Sequence, residues 1–290
     1  MEPNLVILAG GVSSRMKKPG APPPGADERL LREAREKSKS MIGVGGGGRP
    51  FMDYLLFNAR EAGYRDVVIV IGGKDGAIRS HYGVRDREND FHGLRISYAV
   101  QPIPAGRVKP LGTADALLRA LTFRPDWAGS RCTVCNSDNL YSRDVLARLL
   151  ASTAPCAIID YDRDALQFEQ ARIEQFAVLQ KDDRGYLTRI VEKPSPADFA
   201  LARDARGRVG VSMNIFRFSY DLILAPLRDV PLHPVRLEKE LPAAVSILLE
   251  RHPGCMEAIP VAEYVPDMTS AGDIVQVQEY LAGHFPRFTF

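Results

Sequence analysis

The sequence predicts an α/β protein built on a doubly wound, mostly parallel sheet. Short runs rich in β-branched residues alternate with segments of helical periodicity through the first half of the 290-residue chain. This βαβ pattern is typical of a parallel sheet with helices on both faces. The composition, 45% hydrophobic and 26% charged, is that of a globular protein. Because the formal net charge is only +2, we expect neither nucleic acid nor a membrane as a partner.

In the first half, the segments that predict strands are separated by segments that predict helices. The strand segments are 5–9, 67–71, 94–100, 132–136 and 157–160, and the helix segments are 51–62, 113–121 and 142–151. Ligands of doubly wound sheets bind at the carboxyl ends of the strands. The residues directly after each strand segment are therefore the first candidates for a functional site.

The second half has a different pattern. Segments 176–180 and 187–191 flank a polar Asp-Asp-Arg-Gly turn and predict a β-hairpin added to the sheet. Further elements are predicted as a strand at 210–218 and helices at 237–251 and 272–282.

Between the first strand and the helix at 51–62, segment 17–37 begins with a proline-rich stretch and continues with a charged stretch, 27–37. Proline and glycine interrupt regular structure, and the charged stretch has helical composition. We expect a mobile loop followed by a solvent-exposed helix.

Cysteine usage and hydropathy indicate the compartment. Four cysteines in 290 residues do not form a disulfide framework. Cys132 and Cys135 lie on one predicted strand, where residues three apart point to opposite faces, so we expect no metal site there. Apolar runs such as 67–71 are far shorter than the roughly 18 residues that span a bilayer. We expect reduced thiols and a cytoplasmic protein.

A phosphate-binding loop is predicted directly after the first strand. Paired glycines, Gly10 and Gly11, let the backbone approach a ligand closely, and Ser13, Ser14 and Arg15 add donors and a positive charge. This set suits a triphosphate. It matches neither the dinucleotide nor the Walker glycine pattern. The alternative is a glycine turn without a ligand.

An acidic residue follows the predicted strand at 132–136. Asp138 stands where a carboxylate could hold Mg²⁺ between phosphate groups. The alternative for an aspartate at a strand end is a turn or a helix cap. Because Ser142 is better placed to cap the next helix, Asp138 is left for a ligand.

Three segments near the amino terminus together resemble the signature of the sugar-phosphate nucleotidylyltransferases. They are 8–16, 38–42 and 49–51. Members of that family join a nucleoside triphosphate to a sugar 1-phosphate and release pyrophosphate, on a Rossmann-like fold with Mg²⁺. The resemblance implies one catalytic domain over 1–290, with a nucleotide-binding half (1–150, carrying an insertion at 17–37) and a sugar-phosphate-binding half (151–290).

The resemblance also implies roles for individual residues of the nucleotide half. Arg15 would bind the β,γ-phosphates and Lys39 the α-phosphate, which stabilises the charge of the departing pyrophosphate. The implied catalytic residues are Arg15, Lys39, Asp138 and Lys193. The implied nucleotide-binding residues are Leu8, Ala9, Gly10, Gly11, Ser13, Ser14, Gln101, Gly112 and Thr113.

The base-reading element of the family is similar to segments 101–104 and 111–117, separated by an apparent insertion at 105–110. Gln101 has an amide donor and acceptor that match O4 and N3–H of uracil or thymine. We therefore favour UTP or dTTP and leave GTP open. Thr113 is also a candidate N-cap for the following helix.

The sugar-phosphate site of the family is similar to the Glu-Lys-Pro stretch that begins at Glu192. By this resemblance Glu192 accepts hydrogen bonds from sugar hydroxyls and Lys193 pairs with the sugar phosphate. Ala177 stands where the family usually has a glycine lining the sugar pocket, and Asn214 is a further contact candidate.

A late segment, 263–269, resembles the family's tryptophan-then-aspartate element, with Tyr264 as the aromatic residue. Asp267 would be the second metal ligand beside Asp138, and Asp273 is its rival.

Two other function classes stay open alongside the leading one. The first is a cytidylyl- or guanylyltransferase that acts on another phosphate acceptor, and the second is a noncatalytic module that senses nucleotide sugars. The insertion at 17–37 is expected to act as a lid or as a contact in a homo-oligomer.

Overall fold

The structure is a computed structural model that describes residues 3–12, 16–17, 27–73 and 75–290, with only the backbone described for Gln170. The predicted phosphate-loop residues Ser13, Ser14 and Arg15 lie outside the described residues, as does most of the proline-rich stretch.

The described strands form one sheet. They are β1 (Asn4–Leu8), β2 (Asp66–Gly72), β3 (Asn89–Phe91), β4 (Leu94–Gln101), β5 (Arg131–Asn136), β6 (Cys156–Asp162), β7 (Val178–Lys181), β8 (Leu187–Val191), β9 (Gly210–Val211), β10 (Ile215–Ser219) and β11 (Met256–Val261).

Helices connect and cover these strands. They are α1 (Glu28–Glu36), α2 (Phe51–Ala62), α3 (Gly76–Tyr82), α4 (Thr113–Phe123), α5 (Arg143–Ala151), α6 (Gln170–Ile173), α7 (Pro196–Leu201), α8 (Tyr220–Asp229), α9 (Leu241–Arg251) and α10 (Asp273–His284). Short 3₁₀ turns lie at Lys39–Met41, Gly46–Gly48, Pro125–Trp127 and Arg163–Ala165.

The centre of the sheet is parallel, and its far side is antiparallel. Strand β1 pairs in parallel with β2 and β5, and β2 pairs in parallel with β4. Strand β10 runs antiparallel between β5 and β6, and the β7–β8 hairpin joins through β9. The order is β3-β4-β2-β1-β5-β10-β6-β9-β7-β8, with β11 parallel to β6. The predicted α/β class and the added hairpin are confirmed.

Both faces of the parallel strands are buried, because helices cover each side. In β1, Leu5 and Ile7 belong to one hydrophobic cluster and Val6 to the other. Alternate side chains of a strand point to opposite faces, so a run of consecutive apolar residues serves two cores at once. This explains why the strand segments are continuous apolar runs and not alternating ones.

The predicted strand 210–218 is interrupted. It divides into β9 and β10 around Asn214, whose φ is +57°. A left-handed residue cannot continue a strand, and asparagine tolerates that conformation better than most side chains. The interruption places Asn214 outside the ladder, where it lines the candidate site described below.

The predicted helix 237–251 begins later than expected, at Leu241. Pro242 lies in the first turn of α9, where its missing N–H costs nothing. The residues before it are irregular and are held by other parts of the chain. The N–H of Ala114 donates to the carbonyl of Lys239 at 2.9 Å.

Helix α1 is not the solvent-exposed helix that its charge predicted. Leu30 and Ala34, one turn apart, are 0% and 1% exposed. The N–H of Gly43 donates to the Glu33 carboxylate at 2.7 Å, and the Arg29 guanidinium donates to the Gly43 carbonyl at 3.1 Å. The helical part of the predicted insertion is therefore packed into the core and tied to the segment that follows Lys39.

Replacing Leu30 by Ala is expected to lower the free energy of unfolding by about 2–4 kcal/mol, as for other large-to-small changes in a core. Leu31→Ala, at the half-buried neighbouring position, is the matched control and should cost much less. Chemical denaturation of both variants measures the difference. Equal, small effects would contradict the packing of α1.

The prediction that Cys132 and Cys135 point to opposite faces of one strand is confirmed. Both are buried and neither forms a disulfide, and they belong to different hydrophobic clusters on the two faces of β5. Burial raises the pKa of the Cys135 thiol well above its usual range. None of the described helices is both long and apolar enough to cross a membrane.

Candidate active site

A cavity of about 470 Å³ opens where the central strands end. Its wall is formed by residues that follow β1, β4 and β5, together with the start of α4 and the segment before α9. Of the residues predicted from the sequence, the cavity is lined by Leu8, Ala9, Gly10, Gly11, Lys39, Gln101, Gly112, Thr113, Asp138, Glu192 and Asn214. The carboxyl-end rule for doubly wound sheets therefore accounts for the lining residues at the ends of β1, β4 and β5.

The glycine pair begins where β1 leaves the sheet. The N–H of Ala9 still donates to the carbonyl of Val70 at 2.9 Å, and the carbonyl of Leu8 accepts from Ser137 at 3.2 Å. Beyond this point the backbone is free to turn toward the cavity. A Cβ added at Gly11 would meet no atom of the described residues within 4 Å, and Gly10 and Gly11 both line the cavity.

Lys39 and Asp138 form an ion pair in the cavity wall. The Nζ of Lys39 lies 2.7 Å from Oδ2 of Asp138, and the side chains are 14% and 22% exposed. Lys39 begins a 3₁₀ turn whose other residues, Ser40 and Met41, are buried and so fix its position. Two opposite charges that are 99 residues apart in sequence are thus brought together at the edge of the cavity.

The backbone around Asp267 is hydrogen-bonded to the backbone around Asp138. Asn139 and Asp267 form an antiparallel bridge, and the N–H of Met268 donates to the carbonyl of Asp138 at 2.8 Å. Arg172 donates to Oδ2 of Asp267 at 2.7 Å, and the Thr269 hydroxyl donates to Oδ1 at 2.7 Å. Burial, and then the charge of Asp138, raise the pKa of Asp267.

The rival carboxylate, Asp273, is held by the same arginine. Arg172 donates to its Oδ1 at 2.8 Å, and the N–H of Ser270 donates to its Oδ2 at 2.6 Å. The Asp273 side chain therefore stabilises the turn at the start of α10. The backbone bridge to the segment of Asp138 belongs to Asp267, which favours Asp267 as the partner of Asp138.

The pair Asp138 and Asp267 fits a magnesium ion by its chemistry. Carboxylate oxygens are hard ligands, and Mg²⁺ is commonly bound by one or two carboxylates with water and phosphate completing the shell. No group of three or more His, Cys, Asp or Glu side chains suited to a metal occurs in the described part of the chain, so phosphate or water oxygens would have to complete the coordination.

Gln101 ends β4 and is 3% exposed. Its Nε2 donates to the carbonyl of Gly112 and to Oδ2 of Asp115, both at 2.9 Å. Both amide hydrogens are therefore used inside the protein. The prediction that this amide both donates to and accepts from the base is wrong for this arrangement, because only its oxygen is left for a ligand.

Thr113 does not cap α4, because the N-cap residue is Gly112. The Thr113 hydroxyl instead accepts from the N–H of Leu241 at 2.9 Å. Gly112 has a φ of +105°, and a Cβ there would lie 2.6 Å from the carbonyl oxygen of Lys239. Only glycine fits this position. The segment before α9 is thereby fastened to the start of α4.

Sequence reasoning missed that segment as part of the site. Arg236, Glu238, Glu240 and Pro242 line the cavity, with Lys109 from the apparent insertion at 105–110. Lys109 forms an ion pair with Glu238. No periodicity or motif marks these residues, because their place depends on two loops that meet only in the folded protein.

Arg236 joins two carboxylates in the cavity wall. Its NH2 donates to Glu192 at 2.8 Å and to Glu240 at 2.7 Å. Burial, and then the negative charge of Glu192, raise the pKa of Glu240. Glu192 thus lies in the cavity, as the resemblance implies, but with an arginine partner that the resemblance does not provide.

Of the predicted site residues that the structure describes, four lie outside the cavity lining. Lys193 is exposed and has a φ of +50°. The carbonyl of Ala177 accepts from Ser212, and its side chain packs against one hydrophobic cluster. The other two residues are Asp267 and Asp273, both paired with Arg172.

Comparisons with known proteins identify the family of the chain. The family model described as nucleotidyl transferase matches residues 24–258. The glucose-1-phosphate adenylyltransferase of Cutibacterium acnes is 26% identical over 212 residues, which are 71% of this chain and 49% of that protein. The bifunctional protein GlmU of Staphylococcus haemolyticus is 24% identical over 252 residues, 86% of this chain and 46% of that protein. The chain spans about half the length of these curated relatives.

A solved structure shares the fold over nearly the whole length of both chains. The UTP-bound UGPase from Acinetobacter baumannii superposes with a TM-score of 0.70 at 18% identity, covering 99% of this chain and 95% of that one. The resemblance predicted from the motifs is confirmed, and the chain belongs to the nucleotidyl transferase family.

Proposed function

We propose that this protein transfers a nucleotidyl group from a nucleoside triphosphate to a sugar 1-phosphate, giving a nucleotide sugar and pyrophosphate. The observation that carries the proposal is the Lys39–Asp138 pair, held at 2.7 Å in a cavity that also contains Gly11 and Gln101. This transfer requires a cation that can bind phosphate groups and an acidic residue that can hold a metal ion. It also requires a backbone that phosphates can approach and a side chain that can contact the base, and the cavity offers all four.

The reaction needs positioning and charge stabilisation more than acid–base chemistry. The acceptor phosphate is already ionised, so it attacks the α-phosphorus without a general base. Lys39 would stabilise the α-phosphate, and the family resemblance gives Arg15 the same role at the β,γ-phosphates. Glu192 and Asn214 would hold the sugar, and Lys193 its phosphate once the acceptor is bound.

Asp138 and Asp267 would hold Mg²⁺ in this proposal. The bound ion would neutralise the phosphate charges of the substrates. In the structure, Lys39 neutralises Asp138 and Arg172 neutralises Asp267. These two cations would keep the acidic residues in place until the substrates arrive.

We propose UTP or dTTP as the triphosphate, because the N3–H of uracil or thymine can donate to the Gln101 oxygen. Adenine also has a donor, its amino group, and the relative from Cutibacterium acnes is named an adenylyltransferase. ATP therefore belongs in any test of the base.

A matrix of triphosphates against acceptors tests this function. ATP, CTP, GTP, UTP and dTTP are each combined with glucose 1-phosphate, mannose 1-phosphate, N-acetylglucosamine 1-phosphate and phosphocholine, and pyrophosphate release is measured with Mg²⁺. We expect release for one or two triphosphates, and only with a sugar 1-phosphate. Release with phosphocholine alone would favour the other acceptor class. Binding without release would favour a sensing module.

A further inference from the structure

Asp115 is a buried carboxylate that the proposed reaction does not use, and it is hydrogen-bonded to Gln101 in the cavity wall. It lies in the first turn of α4 and is 4% exposed. Its Oδ2 accepts from Gln101 at 2.9 Å, and Arg119 approaches Oδ1 at 3.4 Å. A buried carboxylate is retained only where its hydrogen bonds compensate for lost hydration. Its main neighbour is the side chain that faces the nucleotide base in the proposed function.

The orientation of the Gln101 amide is determined by its surroundings. The carbonyl of Gly112 and the carboxylate of Asp115 are both acceptors, so a turned amide would bring its oxygen against two other oxygens. The carbonyl of Gly112 also accepts from the N–H of Ala116 at 3.0 Å, and the positive φ of Gly112 fixes its direction. The amide nitrogen is therefore held on the protein side.

The amide oxygen of Gln101 is the atom of this side chain that is left for a ligand in the cavity. Oε1 of Gln101 lies 3.5 Å from the position that a Cβ would take at Gly10, another residue of the cavity wall. A base can use this oxygen only by donating a hydrogen, either from a ring N–H or from an exocyclic amino group. A base carbonyl at this point would face an acceptor and would leave a buried polar group without a partner, which is costly.

We propose that Asp115 is a positioning residue for base recognition: it holds Gln101 so that the nucleotide is selected through a hydrogen-bond donor on its base. This inference rests on the proposed function for the identity of the site. Asp115 itself does not contact the substrate. Its removal frees one amide hydrogen of Gln101 and lets the amide turn, so the base is no longer required to donate.

Binding of triphosphates and of donor-blocked analogues tests the proposal without the transfer reaction. The probes are UTP and 3-methyl-UTP, ATP and N6,N6-dimethyl-ATP, and GTP and 1-methyl-GTP, measured by calorimetry. The wild-type protein should bind its preferred triphosphate about tenfold or more tightly than the blocked analogue, the scale of one lost hydrogen bond. Asp115→Ala should reduce that ratio below about threefold. Asp115→Asn keeps an oxygen that can accept from Gln101 and should keep most of the ratio.

Asp53→Ala is the matched control. Asp53 is also the third residue of its helix and is 1% exposed, with hydrogen bonds from His81 and Tyr82 and not from Gln101. Its replacement should change stability and leave the binding ratio unchanged. If Asp115→Ala does not fold, Asp115→Leu keeps the shape of the side chain without its oxygens and replaces it in the measurement.

The outcomes separate this proposal from the proposed function. A wild-type protein that binds the blocked analogue as well as the triphosphate overturns the role of Asp115, as does an Asp115→Ala variant that keeps the full ratio. Neither result contradicts the proposed transferase activity, which is measured separately by pyrophosphate release. Discrimination without pyrophosphate release would leave Asp115 in place and contradict the transferase. Failure to bind any of the triphosphates would overturn both.

Discussion

Asp138→Asn is expected to lower kcat of nucleotidyl transfer by about 10²- to 10³-fold, the usual effect of removing one group that organises transition-state charge. The carboxamide has nearly the same shape but no charge, so the fold is kept. The substitution also releases Lys39 from its partner at 2.7 Å. We therefore expect KM for the triphosphate to fall while kcat drops.

Steady-state kinetics and the circular dichroism spectrum check this prediction together. Asp144→Asn is the control, because Asp144 is an exposed aspartate on α5 that pairs with Arg148 at 2.7 Å. It should leave both kcat and KM unchanged. Near-normal turnover of Asp138→Asn would remove Asp138 from the catalytic residues and with it the proposed magnesium site.

The parts of the site that could be predicted from the sequence are those fixed by local pattern. Gly10, Gln101 and Asp138 each follow a strand segment, and the carboxyl ends of neighbouring parallel strands meet at one edge. Local periodicity is therefore enough to predict that these three residues lie close together. The same reasoning predicted the cap of α5, where the Ser142 hydroxyl accepts from the N–H of Val145.

The parts that escaped prediction depend on contacts between distant segments. Arg236 reaches the cavity because the residues before α9 are fastened to the start of α4, more than a hundred positions earlier. The free oxygen of Gln101 depends on Asp115 and on the backbone of Gly112, which no spacing rule reveals. Helix α1 is a different case. Leu30 and Ala34 have the i, i+4 spacing of a buried face, but the charged residues around them concealed it.

The second large effect is expected from Lys39→Met, which keeps most of the length of the side chain and removes its charge. Lys39 is the described cation that faces Asp138 in the cavity. Without it, Asp138 is an unpaired anion beside the place proposed for the α-phosphate, and it repels the triphosphate. We expect kcat to fall by about 10²- to 10³-fold and KM for the triphosphate to rise by about tenfold, the opposite direction from Asp138→Asn.

Lys37→Met is the control for this variant, since Lys37 lies two residues away, has a side chain that is 40% exposed and pairs with Glu33 at 3.2 Å. Initial rates at varied triphosphate concentration separate the two parameters for each protein. A kcat loss without a rise in KM would mean that Lys39 acts after binding and not in it. Because the two members of one ion pair are expected to move KM in opposite directions while both lower kcat, general damage to the cavity cannot produce the combined result.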